Sequence, residues 1–217
     1  MTQTVLIVGS AGQDGSLLRE SVARRGDNVV GITRHGVEVD GTRRPFDIRK
    51  RDEVRDLVAR LQPREVYYLA AKHQSSEDAT PQDAALFDES LQVNVSGVVA
   101  FLDAIRARSA SSRLFYASSS HVFGAGGPLL RDESTPLNPD SIYGISKSAG
   151  QLACRHYRKT HDVFVAAGIL FTHESPLRRD GFVSRKIVRG AVGIKRGSAR
   201  KVVLGGPRRV GRLGLRP

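Results

Sequence analysis

TVLIVGSAGQDGSLL, residues 4–18, opens with an uninterrupted apolar run, Val5-Leu6-Ile7-Val8, rich in β-branched side chains. Such a run, with no polar alternation, predicts a strand buried on both faces of a parallel sheet. Gly9, Gly12 and Gly15 follow at three-residue spacing, and an apolar-periodic segment comes next. Glycine there permits a tight turn and a close approach of backbone to ligand. The following helix directs its free N–H groups and positive dipole end at that turn, which suits a pyrophosphate. A plain strand–turn–helix connection has the same outline, but a glycine triplet that leaves a strand and opens a helix favours a dinucleotide cradle.

Working outward, residues 16–25 place Leu17, Leu18 and Val22 on one face and stop at Gly26, which predicts a helix. Residues 28–33 (NVVGIT) predict a second buried strand, followed directly by Arg34. In dinucleotide folds an acid near this point accepts the ribose hydroxyl, whereas an arginine suits a 2′-phosphate. Arg34 therefore leans to NADP over NAD, with a solvated loop arginine as the alternative. Residues 35–44 are expected to be loop, residues 44–48 a short third strand, residues 49–61 a helix ended by Pro63, and residues 65–71 a fourth strand. Asp47 is then placed for the adenine end of a cofactor, and the small pair Ala70-Ala71 would let it lie close. His35, Lys72 and His73 have no second ligand at metal-like spacing, so they are read as solvated loop residues and no metal is expected.

Residues 81–108 read as one long helix with Asn94 inside its apolar face, and residues 113–117 as a fifth strand running into Ser118-Ser119-Ser120-His121. Hydroxyls at the C-terminal end of a parallel strand point into the crevice where such sheets bind ligands. After a Gly/Pro-rich loop, 124–139, come Tyr143 and Lys147, four apart and on one helical face. A phenol ordinarily titrates near pH 10. A neighbouring ammonium, helped by an oxidised nicotinamide, favours the phenolate. Such a tyrosine takes a hydroxyl proton as hydride leaves the same carbon, with Ser119 holding the substrate oxygen in line. Helix to about residue 161, a sixth strand over 163–170 and a helix over 182–195 complete the pattern, with His173 and Glu174 just past the sixth strand.

The chain has 217 residues, 40% of them hydrophobic, enough for a sizeable core. No apolar run approaches the roughly 20 residues needed to span a bilayer. No signal peptide is read, and Cys154 is the only cysteine, so a disulfide framework is absent and a cytoplasmic setting is expected. The net charge of +12 is unevenly spread: residues 176–217 hold 13 of the 34 basic residues against one acid, Asp180, and the rest of the chain balances. A neutral body with a phosphate-cradling loop points to a nucleotide ligand rather than to nucleic acid.

Together these pieces predict an α/β fold, a Rossmann-type doubly wound parallel sheet. They resemble the extended short-chain dehydrogenase/reductase family, and more closely the GDP-mannose 4,6-dehydratases. The residues that carry the resemblance are Gly12-Gln13-Asp14-Gly15-Ser16, then Ala117-Ser118-Ser119-Ser120, then Gly168-Ile169-Leu170-Phe171-Thr172-His173-Glu174-Ser175-Pro176 with Phe182-Val183-Ser184-Arg185-Lys186-Ile187. The last block is far more specific than the Tyr143/Lys147 pair. The resemblance implies NADP-dependent internal redox chemistry on a nucleotide-sugar, GDP-mannose: hydride leaves C4, a base takes the C5 proton, water leaves C6, and hydride returns to C6. It implies Tyr143 as the C4 hydroxyl base, Lys147 as its partner and ribose contact, and Ser119 as the substrate-oxygen contact. It places Gly9, Ser10, Gly12, Gln13, Asp14, Gly15, Arg34, Asp47, Ile48, Leu69, Ala70, Ala71, His173 and Arg178 at the cofactor. Two departures stand out. The family's C5/C6 acid–base glutamate is His121 here, a residue able to move protons near neutral pH. Its Arg-Arg after the second strand is Arg34-His35. An epimerase or reductase of the same superfamily, or a catalytically dead NAD(P)-binding fragment, stays open as an alternative.

The resemblance divides the chain into a NAD(P)-binding domain over 1–170, the start of a substrate-binding region over 171–205, and an aberrant basic tail over 206–217. It also implies a homo-oligomer for an intact member. GPRRVGRLGLRP, from Gly206, reads as neither strand nor helix. Read one base out of register, with a free choice of third bases, it gives LDASVDWGYA, which is similar to the family's stretch here. A frameshift near residues 205–207 is therefore expected, and sequencing the gene across that point tests it.

Overall fold

The computed structural model describes residues 2–73, 83–178, 180–202 and 204. Its strands are β1 (Thr4–Val8), β2 (Asn28–Thr33), β3 (Gly36–Val39), β4 (Thr42–Arg44), β5 (Glu65–Tyr68), β6 (Arg113–Ser119) and β7 (Val165–Leu170). Its helices are α1 (Gln13–Arg24), α2 (Arg51–Leu61), α3 (Asp83–Leu91), α4 (Gly97–Arg108), α5 (Ile142–His161) and α6 (Val183–Lys195). The strands form one sheet in the order β4-β3-β2-β1-β5-β6-β7. From β2 through β1, β5 and β6 to β7 every pairing is parallel. This is the doubly wound, Rossmann-like sheet that the sequence predicts.

The apolar run behaves as its composition demands. Val5, Leu6, Ile7 and Val8 are each exposed by 1% or less. Leu6 and Val8 join a large core with Val54, Val98 and Phe101, while Val5 and Ile7 meet Val22 of α1 in a separate cluster. Alternate side chains therefore enter different cores, and each burial contributes roughly 1.5–3 kcal/mol. The chain passes from β1 outward through β2 to β4, then returns to β5 on the other side of β1. That reversal opens a crevice at the C-terminal end of β1, where open α/β sheets bind ligands.

The structure departs from the sequence reading in three places. Residues 36–44, expected as loop, form an antiparallel hairpin with Val39 opposite Thr42. Its turn is Asp40-Gly41, both at positive φ (50° and 73°), the two-residue chemistry that matches strand twist. The expected strand over 44–48 ends at Arg44, since Pro45 has no N–H to give a ladder. The long helix over 81–108 is broken, among its described residues, by a π-helical turn, Gln92–Ser96, between α3 and α4. Two buried phenols account for that turn: Tyr68 donates to the Val93 carbonyl at 2.6 Å and Tyr116 to the Asn94 carbonyl at 2.9 Å. Oxygens engaged this way suit a wider, i→i+5 geometry.

The described residues up to Thr172 form one compact unit and those from His173 a second. In the second, α6 leaves Val183, Ile187, Val188, Val192 and Ile194 exposed. The tail over 206–217 lies outside the described residues. Among those described, no helix is long and apolar enough to cross a membrane.

Candidate active site

The glycine turn is held to β2 by backbone N–H groups, with the Ser10 hydroxyl also donating to the Ile32 carbonyl at 3.3 Å. Gly9 takes φ of +95° and donates to the Ile32 carbonyl at 2.8 Å, and Ser10 N donates to the same oxygen at 3.0 Å. This ties the turn to the end of β2. A Cβ on Gly9 would meet Ala70 N at 2.8 Å, and one on Gly15 would meet the Gly9 carbonyl and Ser10 Cα, the latter at 2.7 Å. Gly15 is thus required for α1 to start this close to β1. α1 begins at Gln13 with Gly12 as N-cap and no side-chain cap. The first-turn N–H groups of a helix have no intrahelical acceptor, so a turn of this build suits an anion. Asp14 stands in that first turn, within hydrogen-bond range of Gln13 Nε2 at 3.3 Å.

Other residues expected at a cofactor have the following surroundings. Leu69 N donates to the Val8 carbonyl at 2.8 Å, which carries the Leu69-Ala70-Ala71 segment past the end of β1 although the β5 ladder stops at Tyr68. Arg34 is exposed past β2, its Nε 3.2 Å from His35 Nε2. Asp47 carries a 2.7 Å ion pair with Arg49, which holds its carboxyl below the usual carboxylate range. Ile48 packs against the main core. His173 and Arg178 lie in the second unit, where Arg178 pairs with Glu174 at 3.4 Å and stacks over Phe182 at 3.7 Å.

At the C-terminal end of β6, Ser119 is buried, and its hydroxyl stands close enough to Tyr143 to favour the phenolate. Ser119 Oγ also accepts from His121 N at 3.3 Å. Ser141 caps α5 by accepting from Gly144 N at 3.1 Å, and this fixes the turn that presents Tyr143. One turn on, Lys147 is 1% exposed and donates to the Ala117 carbonyl at 2.8 Å. Its Nζ lies 4.9 Å from the Tyr116 ring centre and 5.8 Å from that of Tyr143. Burial pulls its pKa down to about 7. The phenol of Tyr143 is pushed up by burial, against the opposing pull of the Ser119 hydroxyl. Desolvation therefore outweighs the phenolate support that the Tyr–Lys spacing suggests.

Asn94 is expected from the sequence to be a satisfied polar group near the site, whereas the position of His73 is a feature that the sequence reading missed. Asn94, wholly buried in the π-turn, accepts from Lys72 N at 3.0 Å and donates to the Lys72 carbonyl (3.3 Å) and to Ser146 Oγ (2.8 Å). One amide thus ties the segment after β5 to α5. His73, read as a solvated loop residue, lies edge-on to Tyr143 with ring centres 4.9 Å apart. His121, exposed after β6, stands edge-on to the same ring at 5.6 Å. No local pattern marks His73, because its nearness to Tyr143 spans 70 residues of sequence. Among the described residues no group of three or more metal-ligating side chains gathers.

A cavity of about 720 Å³ lies further along α5, bounded by Gln151, Leu152, Arg155 and Arg158, by the 131–137 loop and by β7. Neither Tyr143 nor the glycine turn lines it.

The family model described as GDP-mannose 4,6 dehydratase matches residues 6–211. The chain is 30% identical to the GDP-mannose 4,6-dehydratase of Vibrio cholerae serotype O1 over 223 residues, covering 94% of this chain and 58% of that protein. It is 33% identical to GDP-mannose 4,6 dehydratase 2 of Arabidopsis thaliana, covering 92% and 58%. Among solved structures it resembles RMD from Pseudomonas aeruginosa complexed with NADPH, at TM-score 0.70 and 25% identity, over 91% of this chain and 62% of that one. It also resembles MoeE5 in complex with UDP-glucose and NAD, at TM-score 0.69 and 25% identity, over 86% and 60%. The chain spans a little under three-fifths of the length of these curated relatives.

Proposed function

The chain belongs to the GDP-mannose 4,6-dehydratase family, and we propose that its site performs NADP-dependent dehydration of a nucleotide-sugar, GDP-mannose. The observation that carries this reading is the Ser119–Tyr143 hydroxyl pair over a buried Lys147 at the end of β6, on the same sheet end as the glycine turn.

The residues present fit a dinucleotide. The cradle has no room for a Cβ at Gly9 or Gly15, and the uncapped start of α1 offers N–H groups to a pyrophosphate. Gly9, Ser10, Gly12, Gln13, Asp14 and Gly15 hold that group, and Arg34 meets a 2′-phosphate. Asp47, Ile48, Leu69, Ala70 and Ala71 border the adenine half, and Lys147 holds the ribose. His173 and Arg178 are assigned to the cofactor by family resemblance alone. When bound, the nicotinamide supplies a hydride acceptor for C4 and a hydride donor for C6.

Ser119 donates to the C4 oxygen and Tyr143 takes its proton. The buried phenol is a strong enough acid only when cationic charge is restored beside it, and Lys147 supplies that charge on protonation. His121 moves the proton at C5. His121 also favours a second reading, an epimerase or reductase of the same superfamily, because an imidazole replaces the dehydratase carboxylate. Product analysis separates the two, since only dehydration yields a 4-keto-6-deoxy sugar.

Fluorescence titration of the 217-residue chain with NADPH and NADH tests the cofactor assignment. Saturable binding that prefers NADPH is expected, and Arg34→Glu should reverse the preference by about tenfold or more, roughly 1.4 kcal/mol. Tyr143→Phe should keep NADPH binding while losing turnover of GDP-mannose by about 100-fold or more. A folded chain that binds neither nucleotide would refute the reading and leave a cofactor-free remnant.

A further inference from the structure

Two imidazoles stand edge-on against one tyrosine ring. His73 lies 4.9 Å from Tyr143 between ring centres, at an interplanar angle of 83°, and His121 lies at 5.6 Å and 81°. They arrive from different strand ends, His73 after β5 and His121 after β6. Both are anchored to groups of the site. The residue before His73 is gripped on its N–H and carbonyl by the buried Asn94 amide. The backbone N–H of His121 donates to Ser119 Oγ, the hydroxyl that also acts on the Tyr143 phenol. Both imidazoles are exposed, so each exchanges protons with solvent or substrate. Other ionisable groups near the pair include Tyr143 and Lys147 of α5, Tyr116 of β6, and Lys72 with its ion-pair partner Glu89 of α3.

We propose that His73 and His121 act as a pair of proton-transfer groups about Tyr143, His121 removing the proton beside the oxidised carbon and His73 protonating the departing hydroxyl. This rests on the dehydratase reading above. The C5–H bond breaks, its proton goes to the neutral His121 imidazole, and its electron pair forms the C5–C6 double bond. The C6–O bond breaks with its pair staying on oxygen, which takes a proton from the His73 imidazolium and leaves as water. One imidazole gains the proton that the other loses, so the net charge of the pair is unchanged. No oxidant or reductant enters this step. A lone acid–base group must take up one proton and deliver another in turn; two imidazoles in opposite protonation states do both at once.

The pair predicts that C5 deprotonation and C6 dehydration fail separately when one or the other imidazole is removed. The test uses the full chain with NADP and GDP-mannose, following cofactor reduction, deuterium uptake at C5 from heavy water and formation of the 4-keto-6-deoxy product. His121→Gln should lose both C5 exchange and product. His73→Gln should keep C5 exchange and lose product formation by about 100-fold or more. A His73→Gln chain with the wild-type product rate would overturn the proposal. Wild-type chain that never reduces the cofactor with this sugar would defeat the dehydratase reading, and the pair with it. A readout independent of turnover is the ring current of Tyr143. Tyr143→Leu should move the imidazole C–H resonances of both histidines, and movement of only one, or of neither, would overturn the pairing.

Discussion

Replacing Lys147 by Met isolates the electrostatics of the site. The side chain keeps its length and loses a buried charge whose hydrogen-bond partner is one backbone carbonyl, that of Ala117. Burial lowers the ammonium's pKa from its ordinary 10.5 to about 7. Between those values the unfolded chain binds more protons than the folded one, so stability rises with pH. The penalty is complete below about pH 7 and relieved progressively above it. The window closes near pH 9, because the Cys154 thiol is pushed up to about 12 from 9.0 and the buried Tyr68 and Tyr116 phenols are raised as well. Raised acids of that kind cost stability once their unfolded counterparts ionise. From about pH 7 to about pH 8.5, Lys147 should add roughly 1.5–2 kcal/mol of stability to the wild-type chain. Urea unfolding of both proteins at the two pH values measures this. The wild type should gain that amount while Lys147→Met changes by less than about 0.5 kcal/mol. Parallel pH dependences in the two chains would show that Lys147 is not desolvated as its surroundings imply.

Two further substitutions probe the scaffold. Gly15→Ala sets a Cβ against the Gly9 carbonyl and the backbone of Ser10, and overpacking of this kind costs about 1–3 kcal/mol; it should weaken NADPH binding as well, whereas Gly12→Ala, with only the Gly9 carbonyl at 3.3 Å and φ of −73°, should be markedly milder in thermal denaturation. Asn94→Ala removes three hydrogen bonds and leaves Lys72 N without its acceptor, which should cost about 2–4 kcal/mol in urea unfolding; a loss below about 1 kcal/mol would mean that the π-turn stands without its amide.

What the residue order determines here is local and periodic. Val5 to Val8 specify a strand buried on both faces, because four consecutive apolar residues leave no face for water, and both cores claim them in turn. Gly9 and Gly15 specify a backbone that no side chain tolerates. The spacing of Tyr143 and Lys147 specifies a shared helical face. The Asp40-Gly41 hairpin is also legible, since that dipeptide between Val39 and Thr42 is a two-residue turn signal, although its polar neighbours read as loop. Tertiary structure decided the rest. The π-turn lies where two phenols from β5 and β6 donate to its Val93 and Asn94 carbonyls, contacts that only the folded sheet supplies. The upward shift of Tyr143 and the downward shift of Lys147 follow from desolvation, which depends on everything packed around them and on no spacing along the chain. His73 stands beside His121 and Tyr143 because the sheet sets the ends of β5 and β6 side by side and the Asn94 amide ties Lys72 to Ser146 of α5. Periodicity reports which face of an element is buried, whereas proximity between strand ends is a property of the folded sheet.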